Sequence, residues 1–369
     1  MIEDGYLSEV SLHLAGAEPS AGEAGLPLTA DGHVRIGPVG AVPIVLTELG
    51  LEPEMVFSRA GVPPGTFENP ENRLAFDTLG RLLSECADLT NCAHFGLLVG
   101  EKFDLNGLGA IGGLMRTSAT VGDALSGLLS HLYLHDRGAA PILLNLDATS
   151  VILGYSIFRP GLPGALHVYD AAIAIGHRAL MAICGPTWKP LRVQFSHVQP
   201  ANTRPYSKCF GPSLRFDAEV SGIVFAASWL NHPIDSADPL LRTQIAEAMR
   251  QQRVRSRISF ASEVRSVLHQ MVLSGKSSAM DVADFFDIHE RTLRKRLAAE
   301  KTSLQALVSQ TRYTLAQQLL ANTQLPVSEI AAALHYADLP VFSRAFRKWA
   351  HVGPKAWRDR LYAKEASAR

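Results

Sequence analysis

The sequence predicts two dissimilar parts: an α+β N-terminal domain, with helices followed by a small mixed sheet, and an all-α C-terminal domain holding two helix-turn-helix motifs. Three observations predict it. Apolar residues recur at helical spacing up to about His135 and give way after Pro141 to short alternating segments. From Ser259 onward the chain reads only as short, well-punctuated helices. The charge is also split. Residues from Pro239 onward carry 21 Lys and Arg against 11 Asp and Glu, while the preceding ones carry 14 against 24. A formal net charge of zero thus conceals an acidic body and a basic end, the distribution expected when one end meets a polyanion.

Composition narrows the class. A chain of 369 residues accommodates two or three domains, and 47% apolar with 19% charged residues marks a folded globular protein. The first basic residue is Arg35, so the charged start of a signal peptide is missing. The longest apolar stretch, residues 171–184, is interrupted by His177 and Arg178 and is too short to span a bilayer. A cytoplasmic location without membrane contact is expected. Cys86, Cys92, Cys184 and Cys209 form no CxxC pair and show no metal-ligand spacing, so reduced thiols, no metal and no cofactor are expected.

Residues 1–40, rich in Gly, Ala, Pro and Glu, read as a disordered lead-in, and residues 41–231 as the α+β domain. Within it, Leu79, Leu82, Leu83 and Cys86 mark a helix, and Thr120 with Asp123 three residues on reads as a capped helix start. Residues 142–146 and 151–157 read as two strands joined by a polar turn, and a helix follows over 166–184. Residues 191–195, 214–216 and 222–225 supply further strands. Residues 232–258 read as a linker and connector helix: His232 to Pro239 holds two prolines and polar filler, and Arg250, Arg253, Arg255 and Arg257 follow.

Residues 259–369 carry the function. Val264, Val267, Leu268, Met271 and Val272 form one helical stripe. A short helix with Val282, Ala283 and Phe286 inward then precedes a tight turn and a second helix, whose Leu293 and Leu297 face in while Arg291, Arg294 and Lys295 face out. The pattern recurs with Ile330 and Ala331, a turn, and a helix with Phe342 and Phe346 inward and Arg344, Arg347 and Lys348 outward. Asp338 is its N-cap, and Pro340 sits in its first turn. A helix fits the major groove, where Arg and Lys meet guanine edges or phosphates. Between the units, residues 304–322 read as one helix with Leu304, Leu307, Val308, Thr311, Leu315 and Leu319 on one face. Such a rod is about 28 Å long, close to the roughly 34 Å of one duplex turn.

The stretches 291–297 (Arg-Thr-Leu-Arg-Lys-Arg-Leu), 342–349 (Phe-Ser-Arg-Ala-Phe-Arg-Lys-Trp) and 352–358 resemble the AraC/XylS family of bacterial transcription regulators, over about residues 259–361. The resemblance implies that Arg291, Arg294 and Lys295 lie where the family's first recognition helix meets bases, and that Leu339, Pro340 and Arg344 do so in the second. The set expected to face DNA is Arg291, Thr292, Arg294, Lys295, Asp338, Leu339, Pro340, Ser343, Arg344, Arg347 and Lys348. The sequence departs from the pattern at Asp287, Lys301, His335 and His351, where the family has glycine at turns, and at His289, which replaces a small cap residue. A non-glycine residue at positive φ costs on the order of 1 kcal/mol. Residues 43–230, through segments such as Phe95-Gly96-Leu97-Leu98-Val99-Gly100 and Phe210-Gly211-Pro212, resemble the arabinose-binding-type domain of regulators akin to the ornithine-utilisation regulator. That resemblance implies an effector-sensing module.

The expectation is a sequence-specific, double-stranded-DNA-binding transcription regulator. By resemblance it is an activator that is controlled by a small-molecule effector, works with RNA polymerase and acts as a homodimer. The alternative is an effector-independent DNA-binding protein with a structural or dimerising N-terminal domain. No enzyme is expected, because no nucleophile-elbow, zincin or lactamase motif is present. Gly107 to Gly112 matches GxGxxG but follows no convincing strand, and His131 with His135, expected at i, i+4 on one helix face, lacks a third ligand.

Overall fold

The computed structural model describes residues 32–366 except 133, 134, 137, 158–161, 219, 256–258, 274 and 324. Strand β1 (His33–Arg35) pairs antiparallel with β2 (Arg73–Ala75). Both share one apolar core with α1 (Val42–Glu48), α2 (Pro53–Ala60) and α3 (Phe76–Thr90), through Val34, Leu46, Val56, Leu74 and Leu82. The lead-in expected over 1–40 therefore ends sooner than the composition indicates. Val34, Ile36 and Val39 are buried, and Arg35 is only 2% exposed. A three-residue strand is too short to show an alternating pattern, and its partner lies about forty residues further on. The remainder of the expected lead-in, residues 1–31, and Arg257 of the connector lie outside the described residues.

Helices α4 (Phe95–Glu101), α5 (Ala110–Arg116) and α6 (Val121–His131) follow. The Thr120 hydroxyl caps α6 as expected, accepting the Asp123 amide at 3.1 Å. Strands β3 (Ala139–Asn145) and β4 (Ser150–Ile157) make a hairpin, with Asp147 accepting the amides of Thr149 and Ser150 across the turn. The long α7 (Ala165–Cys184) packs against α3, α4 and β4 and is buried on most sides. Strand β5 (Arg192–Gln194), α8 (Arg204–Phe210), β6 (Leu214–Arg215) and β7 (Gly222–Ala226) complete a five-stranded sheet of order β3-β4-β7-β5-β6. Its β5–β6 pair is parallel and the others antiparallel, so the sheet is mixed, as predicted.

The segment after it differs from the expected open linker. The Ile234 side chain is buried, its amide donates to the Ala119 carbonyl, and the Asp238 amide donates to Thr117. Helix α9 (Pro239–Arg255) packs on α5 and sends Ile245 and Met249, one turn apart, into the N-terminal core. The connector is docked. Prolines end regular structure, but they do not prevent the residues between them from packing.

Beyond it come α10 (Phe260–Leu273), α11 (Ala279–Phe285), α12 (Glu290–Ala299), α13 (Leu304–Asn322), α14 (Val327–Ala333), α15 (Leu339–Ala350) and α16 (Pro354–Ala366). The α10 stripe is buried as read from the sequence. Helix α13 is unbroken over its 19 residues, but burial is not confined to one face. Leu307 joins a core with α10, α11 and α12, whereas Leu315, Ala316, Leu319 and Leu320 join a second core with α14 and α15. A rod shared by two cores must present apolar groups in more than one direction. Ile142 of the outer strand β3 enters the second core, so the C-terminal helices rest on the sheet. No helix among the described residues is long and apolar enough to cross a membrane.

Candidate nucleic-acid interface

The first motif is set by its caps. Ser278 and Asp281 form a reciprocal capping box at the start of α11, each accepting the other's backbone N–H. The chain reverses through Asp287 at φ 51°, with the Ile288 amide donating back to Ala283. His289 then stands at the N-cap of α12 without a side-chain cap bond. Leu293 and Leu297 are buried, which turns Arg291, Arg294 and Lys295 outward and leaves Thr292 half-buried at the margin. Glu290 accepts from Arg294 at 2.8 Å, an exposed i, i+4 pair that water and salt weaken.

The second motif repeats the plan. Ile330 and Ala331 of α14 are buried, and the chain turns at His335 (φ 56°). Asp338 caps α15, its carboxylate accepting the Val341 amide at 2.7 Å, with Pro340 in the first turn where no helical N–H is needed. Phe342 and Phe346 are fully buried. Leu339, Pro340, Arg344, Arg347 and Lys348 are exposed, and Ser343 is half-buried. The predicted residues thus gather in two groups: α12 packs on α10 and α11, while α15 packs on α13, α14 and α16.

All four positions noted for their missing glycines adopt positive φ: Asp287 at 51°, Lys301 at 57°, His335 at 56° and His351 at 58°. The turns keep their left-handed shape without the residue that favours it.

Four side chains that hold the motifs together escape a reading of helical faces. The Glu300 carboxylate accepts the amides of Phe260 and Ala261 at 2.7 and 2.8 Å, capping α10 from across the domain. Arg358 donates to the Leu320 carbonyl, tying α16 to α13, and the Arg312 guanidinium lies 5.2 Å from the Tyr336 ring centre. His335 also ties its turn to the end of α10, through Nε2–H to the Leu273 carbonyl.

In the N-terminal part, Gly107 to Gly112 spans a 3-10 turn and the start of α5 with no preceding strand. Gly112 is there for packing, since a Cβ on it would lie 1.9 Å from the Leu105 carbonyl oxygen. The expectation that His131 and His135 share a helix face is not met. Helix α6 ends at His131, whose Nδ1 bonds to the Gly127 carbonyl, and His135 lies beyond it, buried. Among the described residues no cluster of His, Cys, Asp and Glu is arranged to hold a metal.

His135 instead borders a cavity of about 110 Å³ lined by residues of α3, α6, α7 and the β3–β4 hairpin. Its walls are mostly apolar, with Leu79, Leu83, Leu128 and Ile175 among them, and its ionisable groups are His135, Asp136 and Tyr155. Asp136 accepts the amides of Gly138 and Ala139 on one oxygen and the Tyr155 hydroxyl on the other. Burial pushes the Asp136 carboxyl up to about 6, against the pull of those hydrogen bonds. Burial, and then the charges of Arg35 and Arg73, holds His135 well below the usual histidine range.

Comparison with known proteins agrees with this geometry. Residues 50–234 match the family described as the arabinose-binding domain of AraC transcription regulator, N-term, and residues 282–360 match a helix-turn-helix domain family. The chain is 28% identical over 315 residues to the HTH-type transcriptional regulator VirS of Mycobacterium tuberculosis, covering 85% of this chain and 93% of that one. It is 25% identical over 319 residues to the ornithine utilization regulator of Pseudomonas aeruginosa, with coverage of 85% and 93%. Over 96 residues, 26% of this chain and 36% of the other, it is 35% identical to the HTH-type transcriptional activator CfaD of Escherichia coli.

Proposed function

This chain belongs to the AraC family of transcription regulators, and from that premise we propose that α12 and α15 enter successive major grooves of double-stranded DNA under the control of a small-molecule effector held by the N-terminal domain. The observation that carries the proposal is the pairing of each exposed basic face with a buried apolar pair, Leu293 with Leu297 and Phe342 with Phe346, on helices joined by one unbroken rod. Arg291, Arg294, Lys295 and Arg344 lie at base edges, with Arg294 and Arg344 donating to them, and Leu339 and Pro340 meet thymine methyl groups. Arg347 and Lys348 neutralise phosphates, while Thr292, Asp338 and Ser343 border the backbone.

The hairpin β3–β4 supports coupling between the two parts. Pro141 and its cross-strand partner Tyr155 border the cavity, while Ile142, next to Pro141, packs into the C-terminal core. A ligand that shifts the hairpin acts on both, and a population shift needs only a few kcal/mol of differential affinity. The protein acts as a homodimer on paired sites in the cytoplasm and activates transcription through RNA polymerase. Selection of duplexes from a random pool with the full chain tests the reading. The expected product contains two short preferred blocks about one helical turn apart, and a pool with no preference contradicts it.

A further inference from the structure

Within the reading that the N-terminal domain holds an effector, on which this step rests, we propose that the cavity between α3, α6, α7 and the β3–β4 hairpin is the effector site. The ligand it takes is an uncharged, single-ring molecule carrying one hydroxyl group.

Size is the first argument. A dry cavity of about 150 Å³ accepts benzene in another protein, so one of about 110 Å³ takes a single small ring with modest yielding of its walls. The second is the wall chemistry. Leu79, Leu83, Leu128 and Ile175 reward an apolar body and offer an extended polar ligand such as a sugar no partners. The third is an unmet hydrogen-bonding group. Asp136 already accepts three hydrogen bonds, and the Tyr155 hydroxyl proton is donated to it. The Nδ1 of His135, by contrast, is buried with no hydrogen-bond partner, and the residue is 7% exposed. Leaving such an atom unpaired costs stability, so a ligand that reaches it gains accordingly.

A hydroxyl serves whichever tautomer His135 adopts, because it both donates and accepts. Charge is disfavoured by the walls: a carboxylate would lie against the Asp136 carboxyl, and either a carboxylate or an ammonium would leave water for an apolar lining whose one acidic group already accepts three hydrogen bonds.

Phenol, benzene, benzoate and benzylamine are titrated against the full chain by ligand-observed NMR. Phenol is expected to saturate and to bind about tenfold tighter than benzene, with both charged probes weaker still. The His135→Leu variant should bring phenol and benzene to about equal affinity. Gly176 borders the cavity, and a Cβ there meets side-chain atoms of Ile223 at 3.4 Å and Leu153 at 3.9 Å, so Gly176→Leu adds its side chain at the cavity wall and should abolish phenol binding. Equal binding of benzene and phenol to the unaltered chain overturns the proposal, as does a charged probe that binds best. Phenol binding that leaves DNA affinity unchanged upholds the cavity's chemistry and removes its effector role. DNA affinity that responds to cell extract while phenol fails to bind overturns the proposal and leaves effector control standing.

Discussion

Replacing Lys301 and His351 by glycine is predicted to stabilise the C-terminal domain. Both residues are exposed and hold φ of 57° and 58°, Lys301 just after α12 and His351 at the end of α15. The left-handed conformation costs an L-residue roughly 1–2 kcal/mol. Glycine adopts it freely but gives back about 0.5–1 kcal/mol in chain entropy. The net gain is therefore about 0.5–1 kcal/mol per site, and about 1–2 kcal/mol for the pair, since the helices they follow, α12 and α15, pack in different cores and the effects should add. His335 is the wrong place to test the idea, because its ring also holds the Leu273 carbonyl, and Asp tolerates positive φ better than Lys or His. Urea unfolding followed by tryptophan fluorescence, to which Trp349 and Trp357 contribute, reads the change. Lys301→Ala and His351→Ala keep the backbone strain while removing the same side chains. If the glycine variants are no more stable than these alanine controls, the strain reasoning is refuted.

Binding of the full chain to DNA should weaken steeply with salt, and Lys348→Gln should lower the slope of log K against log salt by about 0.9, as one phosphate contact is lost; an unchanged slope removes Lys348 from the interface. Phe346→Ala, at a fully buried position between Tyr313 and Trp357, should cost about 3–5 kcal/mol in unfolding free energy, and a loss below about 1 kcal/mol contradicts the packing. His177 is buried between the rings of Trp188 and Phe210, and burial, with a smaller contribution from Arg178, pushes it down to about 4. The unfolded chain therefore binds the extra proton first, so stability falls as pH drops from about 6.5 towards 4. His177→Phe should remove about 2 kcal/mol of that loss between pH 7.5 and pH 5, measured as urea midpoints at the two values.

Much of the C-terminal domain is legible in the sequence because caps and periodicity agree there. The bounds of α13, the Asp338 cap and the paired cores at Leu293/Leu297 and Phe342/Phe346 follow from local residue patterns, and the four strained turns from the family resemblance. What escapes is non-local. Strand β1 is too short to show a period and depends on β2 far along the chain. Glu300 caps a helix some forty residues before it, and no spacing rule connects the two. The docking of α9 has a weak signal in Ile245 and Met249 at i, i+4, obscured by the arginines that follow. The cavity has none. Its lining comes from helices, strands and loops across the N-terminal domain, and the orphaned Nδ1 of His135 exists only once they are assembled.

The idea that matters most is that two arginines on separate helices read one duplex a turn apart. Base preference is measured at every position of a selected site for the unaltered chain, Arg294→Ala and Arg344→Ala. Each variant should lose about 1–3 kcal/mol of discrimination at a single position, and the two positions should lie about ten base pairs apart. Equal weakening on every sequence, or loss at one shared position, contradicts it.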